Sequence, residues 1–172
     1  MNHVLMATFA LSLLLAACDA TEASPAPSAT ASKEAPTAAS VLDAYEAIRA
    51  QLADDSTSEL AAKARDLATK ARAAATGANG DAKKHLEGLA VASKALAEGA
   101  SDIDEARKGF GEVSRHVVAL VASDAALKKG RHVFECSMAQ GYGKWVQTEP
   151  DKKNPYMGKK MLACGSESDW SD

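Results

Sequence analysis

The most regular helical pattern of the chain runs through residues 103–127, IDEARKGFGEVSRHVVALVASDAAL. Positions three and four residues apart repeat along it: Ile103, Ala106, Phe110, Val113, Val117, Leu120, Asp124 and Leu127. All but one of them are apolar. Because a helix turns once in about 3.6 residues, these positions share one face. The stretch therefore predicts an amphipathic helix that packs its apolar face against other helices.

Three earlier segments repeat the same period and extend the helical region back to Ser40. The matching positions are Leu42, Tyr45, Ile48 and Leu52, then Leu60, Ala64, Leu67, Ala71 and Ala74, then Leu86, Leu89, Ser93 and Leu96. Four helices joined by short connections favour antiparallel neighbours. Residues 40–128 are therefore predicted to form an up-and-down four-helix bundle, and the fold class is mainly α.

Turn and capping residues agree with these helix boundaries. Ser40 is predicted to cap the first helix, and Ser56 with Glu59 matches a capping box for the second. Gly77-Ala-Asn-Gly80 predicts a turn before the third helix. Gly99-Ala-Ser101 predicts the end of the third helix and the cap of the fourth.

The composition changes after Gly130, where aromatic residues, cysteines and methionines concentrate. We predict that residues 129–166 form a small irregular or β-hairpin module of the same domain, followed by a tail at 167–172. Residues 132–137, His-Val-Phe-Glu-Cys-Ser, alternate and are rich in strand formers, which predicts a strand. Residues 160–164 are predicted to return as a second strand, antiparallel to the first.

A helix is the alternative for the second half of this module. Asn154 would be its N-cap and Pro155 its first residue, a position that favours proline. Such a helix would place three sulfur-bearing side chains on one face, those of Met157, Met161 and Cys164. Gly158 weakens a helix, so the hairpin is the favoured prediction.

The N-terminal region carries a pattern typical of exported proteins. An apolar run from Val4 closes with Ser12-Leu-Leu-Leu-Ala-Ala-Cys18, which resembles the lipobox of bacterial lipoproteins. The resemblance implies that residues 1–17 are a signal peptide and that Cys18 carries acyl chains such as palmitate. The run is shorter than the roughly 20 residues that a transmembrane helix needs. We therefore expect a lipid anchor in the inner or outer membrane and a domain that faces the periplasm.

Residues 18–39 follow the signal peptide and are rich in Ala, Ser, Thr and Pro. They have too few large apolar side chains to fold, so they are predicted to form a disordered linker. The remaining part, about 130 residues, is enough for one domain. The chain has 20 Lys and Arg against 23 Asp and Glu, a net charge of -3, which gives no electrostatic basis for nucleic-acid binding.

The C-terminal module holds the only dense group of soft metal ligands in the sequence. It comprises His132, Cys136, Met138, Met157, Met161 and Cys164. Thiolates and thioethers select Cu(I), and thioethers bind it without losing a proton. These residues are therefore the predicted metal ligands, with Cu(I) as the expected ion.

Export leaves a second role open for the two cysteines of this group. After lipidation of Cys18, Cys136 and Cys164 are an even pair in an oxidising compartment. A disulfide between them would stabilise the fold by about 3 to 4 kcal/mol through loop entropy. We expect this disulfide in preference to thiolate ligands, which leaves the metal to the methionines. The methionines could alternatively fill gaps in the core.

Other chemistry-bearing residues give no site. His85 and His116 lie on different predicted helices, without a carboxylate or cysteine at ligand spacing, and are predicted to be surface or interface residues. The sequence has no catalytic triad pattern, glycine-rich phosphate loop or paired-carboxylate site. An enzyme is therefore not expected.

Several motifs between Val41 and Gly165 form one pattern along the chain. Those of the C-terminal module are Cys136-Ser-Met-Ala, Gly143-Lys-Trp145 and Asn154-Pro-Tyr-Met-Gly-Lys-Lys-Met-Leu-Ala-Cys-Gly165. Those of the helices are Arg107-Lys-Gly-Phe-Gly-Glu-Val-Ser114 and Tyr45 with Asp54-Asp55. Together they resemble the family called domain of unknown function 3347. In this chain Ser137 replaces a family proline, and Met157 replaces a family aromatic residue.

This family has no assigned activity, but it occurs alone and appended to adaptor subunits of copper and heavy-metal efflux pumps. The resemblance implies a metal-efflux adaptor or another envelope protein as partner. We therefore predict a membrane-anchored periplasmic lipoprotein domain that binds or handles a soft metal ion, Cu(I). The alternative is a metal-free, disulfide-stabilised helical interaction module of the cell envelope.

Overall fold

Helices dominate the computed structural model, which describes residues 36–171. The four long helices of this part are α1 (Ala38–Ala53), α2 (Leu60–Gly77), α3 (Gly80–Gly99) and α4 (Ile103–Ala122), and a short α5 (Ala125–Lys128) follows. The predicted mainly α class is confirmed. The predicted signal peptide, Cys18 and most of the predicted linker lie outside the described residues. None of the helices within 36–171 is long and apolar enough to cross a membrane.

The bundle core is built from the apolar faces that the periodicity predicts. In α4, five of the repeated positions are buried: Ala106, Phe110, Val113, Val117 and Leu120. Those of α1 are buried as well: Leu42, Tyr45, Ile48 and Leu52. α2 packs along α3 and α3 along α4, while α1 packs mainly against α2. Small buried side chains on α2, among them Ala64 and Ala71, let its neighbours approach closely.

The helix caps differ from those predicted. Thr37 caps α1 instead of Ser40, and its side chain accepts a hydrogen bond from the Ser40 backbone N–H. The capping box at Ser56 and Glu59 is wrong, because Glu59 has a left-handed backbone (φ 57°) and makes no capping bond. Asp102, not Ser101, caps α4 and accepts from two backbone N–H groups.

A three-stranded antiparallel sheet follows the helices. It consists of β1 (His132–Glu135), β2 (Lys144–Gln147) and β3 (Ser166–Glu167), in the order β2-β1-β3. β1 confirms the predicted strand, and β2 packs against α4. The predicted return strand at 160–164 is wrong, because the chain forms a 3₁₀ turn at Gly158–Met161 and pairs with β1 only at β3.

The alternative helix from Asn154 forms only in part. The Asn154 side-chain oxygen accepts hydrogen bonds from the backbone N–H groups of Tyr156 (2.8 Å) and Met157 (3.1 Å), as an N-cap would. Gly158 then takes a left-handed backbone (φ +57°), which a continuous α-helix excludes. The segment is therefore a capped turn followed by a single turn of 3₁₀ helix.

A buried hydrogen-bond network joins the bundle to the sheet. The Tyr45 hydroxyl bonds the Ser114 hydroxyl (2.8 Å) and accepts from the Val146 backbone N–H (3.1 Å). The Lys144 carbonyl accepts from the hydroxyls of Ser114 (2.8 Å) and Tyr156 (2.7 Å). Burial raises the pKa of both tyrosines well above the ordinary value, so both hydroxyls stay protonated and able to donate.

Candidate metal-binding site

The sheet register brings Cys136 and Cys164 together. Glu135 of β1 pairs with Ser166 of β3, so the next positions, Cys136 and Gly165, face each other and Cys164 is a diagonal neighbour of Cys136. The two side chains are close enough for Cys136 to raise the pKa of the Cys164 thiol. Cys136 is buried, whereas Cys164 is partly exposed. The pair is therefore adjacent and accessible from the Cys164 side.

Two glycines allow the backbone to close around this pair. Gly165 has a positive φ of +119°, and a Cβ there would lie 2.8 Å from the Glu135 carbonyl oxygen and 2.9 Å from the Trp145 ring. At Gly143 a Cβ would overlap the Cys136 carbonyl oxygen, which accepts from the Ala139 N–H (3.1 Å). Side chains at either position would push apart the segments that carry the thiols.

Hydrogen bonds hold the Cys164 segment from the other side. The Asn154 side-chain nitrogen donates to the Cys164 carbonyl (2.9 Å), and the Cys164 N–H donates to the Met161 carbonyl (3.0 Å). Asn154 is fully buried. The Cys164 thiol is therefore carried by a loop whose backbone is fixed before and at the cysteine.

The environment of Cys164 favours the protonated thiol. Burial raises the pKa of the Cys164 thiol above its usual range, and the charge and hydrogen bond of Cys136 raise it further. A backbone hydrogen bond from Gly165 acts in the opposite direction. A metal ion that binds this sulfur must therefore displace a proton from it.

The structure has both cysteines as free thiols, so the predicted disulfide is not present in it. Its formation under oxidising conditions stays a prediction. The adjacency of the thiols suits either outcome, because a disulfide and a two-thiolate metal site both require neighbouring sulfurs.

Two of the predicted methionine ligands lie in a different place. Met138 and Met157 line a cleft of about 240 Å³ that neither cysteine lines. Met138 is 55% exposed, and Met157 packs against the core. The remaining lining residues include four charged ones, Asp104, Arg107, Lys108 and Lys160. Arg107 and Lys108 are paired with the carboxylates of Asp55 and Glu105, and the two thioethers are the only soft ligands among the described residues that line this cleft.

Met161 and His132 complete the predicted set. Met161 ends the 3₁₀ turn and is half-buried, three residues before Cys164. His132 begins β1, where its ring stacks on Phe134 with the centroids 6.0 Å apart. The rise of about 3.3 Å per strand residue separates His132 from Cys136 by about 13 Å. The structure therefore does not bring His132 to the cysteine pair.

Of the six predicted ligands, the structure places the two cysteines next to each other. Within residues 36–171, no group of three or more His, Cys, Asp or Glu side chains could hold a metal ion. Cu(I) accepts two thiolates as its whole ligand set, so the pair fits this ion and does not fit a four-ligand zinc site. The sequence identifies the cysteines as candidates, whereas the supporting roles of Asn154, Gly143 and Gly165 depend on contacts that only the fold creates.

Several motif residues that carry the family resemblance have structural contacts in this chain. Arg107 donates to the Asp55 carboxylate (2.5 Å) and to the Pro155 carbonyl (3.1 Å). Asp55 also accepts from the Lys159 N–H (3.0 Å), and these contacts, led by the Arg107 bond, lower the pKa of its carboxyl. The motif thus ties the end of α1 to the Asn154 segment. The chain matches no protein-family model, no curated protein and no solved structure.

Proposed function

We propose that this domain, a lipid-anchored protein of the bacterial cell envelope, binds Cu(I) through Cys136 and Cys164 when the two thiols are reduced, the state that the structure has. The observation that carries the proposal is the adjacency of the two thiols, one buried and one partly exposed. The buried sulfur fixes the position of the ion, and the accessible sulfur provides the route for its entry and release. The sequence resemblance to domains found beside copper efflux adaptors supports a metal-efflux adaptor as the partner of this domain.

Cys164→Ser is expected to weaken Cu(I) binding by at least about 100-fold, because the loss of a ligand exceeds outer-shell changes that cost about 10- to 100-fold. The measurement is competition with a Cu(I) indicator under anaerobic, reducing conditions, using the full-length protein. Met138→Leu is the matched control. It removes an exposed sulfur from the cleft that Met138 and Met157 line, and it should change the Cu(I) affinity by less than about threefold.

Equal affinity in the parent and Cys164→Ser would contradict the proposal. A large loss in Met138→Leu would instead return the site to the methionines. The triple replacement of Met138, Met157 and Met161 by leucine separates these cases further, because leucine nearly conserves volume and each change should cost less than about 1.5 kcal/mol.

The affinity for Cu(I) is expected to rise with pH. The pKa of the Cys164 thiol is raised, so the folded protein keeps this proton at pH values where a free cysteine begins to ionise. The ion must displace the proton, and the apparent affinity should rise about tenfold per pH unit for each proton released. Indicator titrations across the neutral range measure this slope, and a pH-independent affinity would exclude thiol ligands.

Cys18→Ser is expected to release the protein from membranes or to leave an unprocessed precursor. The reason is that Cys18 closes the lipobox-like run, and the acyl chains are the proposed anchor. Fractionation and the mass of the mature protein measure both effects. Normal processing and unchanged membrane partitioning in this variant would contradict the anchor.

A metal-free interaction module is the second candidate function. It is favoured by the cleft between Met138 and Met157, where Lys160 lies beside apolar surface, while Arg107 and Lys108 are paired with Asp55 and Glu105. Such a surface suits an acidic protein segment with an apolar side chain. Absence of Cu(I) binding in the parent protein would leave this candidate.

A further inference from the structure

The bundle brings together two histidines that the sequence separates by 31 positions, His85 on α3 and His116 on α4. Their ring centroids are 6.1 Å apart, and the ring planes are tilted by 52°. Both side chains are half-buried. Of the two predicted roles, surface or interface, the structure has the second: the two rings meet between α3 and α4.

A glycine creates the space for this contact. A Cβ at Gly88 would overlap the His116 ring, with both ring nitrogens within 2.7 Å. The His116 ring therefore lies directly on the α3 backbone at Gly88. His85 is three residues before Gly88, so it projects from the same face of α3, one turn away. The missing side chain at position 88 thus sets His116 beside His85.

The separation of the rings fits a shared metal ion. A nitrogen–metal bond of about 2.0 Å places the ion about 3.2 Å from the centroid of each imidazole ring. Two rings bound to one ion can then be up to about 6.4 Å apart, and about 5.2 Å apart at a tetrahedral angle. The observed 6.1 Å lies within this limit, and shared binding requires one nitrogen of each ring to face the ion.

The helix positions near the two histidines carry charges of both signs, with Lys84 directly before His85 and Arg115 directly before His116. Glu112 is one turn before His116 on α4, and Asp81 is one turn before His85 in the first turn of α3. Arg115 is engaged by Glu112 (3.4 Å) and by the Tyr142 ring, 4.6 Å from its centroid. No third His, Cys, Asp or Glu side chain of residues 36–171 completes a cluster here.

We propose that His85 and His116 form a binding site for a divalent transition-metal ion, with water in the remaining coordination positions. Imidazole nitrogen suits Zn²⁺, Cu²⁺ and Ni²⁺, whereas the thiol pair suits Cu(I), so the two sites differ in the class of ion they select. The bound ion would bridge α3 and α4. This site is independent of the cysteines.

The test is a Zn²⁺ titration of the full-length protein, followed by the NMR signals of the histidine rings. The signals of His85 and His116 are expected to shift together with one midpoint. His132, stacked on Phe134 in the sheet, is the internal control and should not share that midpoint. His85→Gln is expected to raise the Zn²⁺ concentration at the midpoint of the His116 shift about tenfold or more, since one of the two protein ligands is lost.

Gly88→Ala is a second variant that keeps both imidazoles. Its Cβ displaces the His116 ring from α3, so it should weaken Zn²⁺ binding as His85→Gln does. His85 is half-buried, so His85→Gln should fold normally, which circular dichroism without Zn²⁺ checks. If Gly88→Ala misfolds, the test therefore rests on His85→Gln alone. Signals of His85 and His116 that do not move, or move with separate midpoints, would overturn the proposal, as would an unchanged His116 midpoint in His85→Gln.

Discussion

Asn154→Ala is expected to lower the free energy of unfolding by about 3 to 5 kcal/mol. The side chain is fully buried and makes three hydrogen bonds to backbone groups, those of Tyr156, Met157 and Cys164. Alanine leaves these groups without their partner, and each buried unsatisfied group costs about 1 to 3 kcal/mol. Denaturant unfolding followed by circular dichroism measures the change.

Asn79→Ala is the matched control for this prediction. Asn79 is the N-cap residue of α3, but its side chain makes no capping hydrogen bond. Its replacement should therefore cost less than about 0.5 kcal/mol, as for an ordinary surface position. Similar losses in the two variants would show that the buried network around Asn154 contributes nothing beyond the general cost of removing an asparagine.

Gly158→Ala is expected to destabilise the fold by about 3 kcal/mol or more, from two causes that add. The first is backbone strain, because Gly158 has a left-handed backbone (φ +57°) that costs an L-residue roughly 1 to 2 kcal/mol. The second is overlap, because the new Cβ would enter the Asp55–Arg107 ion pair. Thermal and denaturant unfolding measure the sum.

Gly80→Ala separates the two causes. Gly80 has the same φ of +57°, but nothing lies within 4 Å of the position of its Cβ. This variant should therefore show the strain alone, about 1 to 2 kcal/mol. Equal losses in Gly158→Ala and Gly80→Ala would mean that Asp55 and Arg107 move aside without cost, and that the ion pair does not fix the turn.

The long helices could be predicted from the sequence because burial on one side leaves a period that depends on local geometry alone. The caps were harder. Glu59, directly before α2, has a left-handed backbone, a conformation that glutamate rarely adopts and that the sequence therefore does not indicate. β2 was missed because three of its four residues are buried, Gln147 among them, so the strand lacks the alternation that identifies a half-exposed strand.

The cysteine pair and the histidine pair differ in how far the sequence can indicate them. Two cysteines in an exported chain suggest proximity on chemical grounds, and the sheet register then brings Cys136 and Cys164 together. No comparable rule applies to His85 and His116. Their contact depends on the relative rotation and height of α3 and α4 and on the space above Gly88, which periodicity within one helix does not specify.

The Lys144 carbonyl, which accepts hydrogen bonds from both Ser114 and Tyr156, determines how the protein can open. A local fluctuation that detached the sheet from the bundle would break both bonds and strip the Val146 N–H of its Tyr45 partner inside the core. Such partial opening therefore carries the cost of these three hydrogen bonds in addition to the apolar surface that it exposes. The segment that carries Cys136 is thus tied to the helices by buried polar groups as well as by apolar packing.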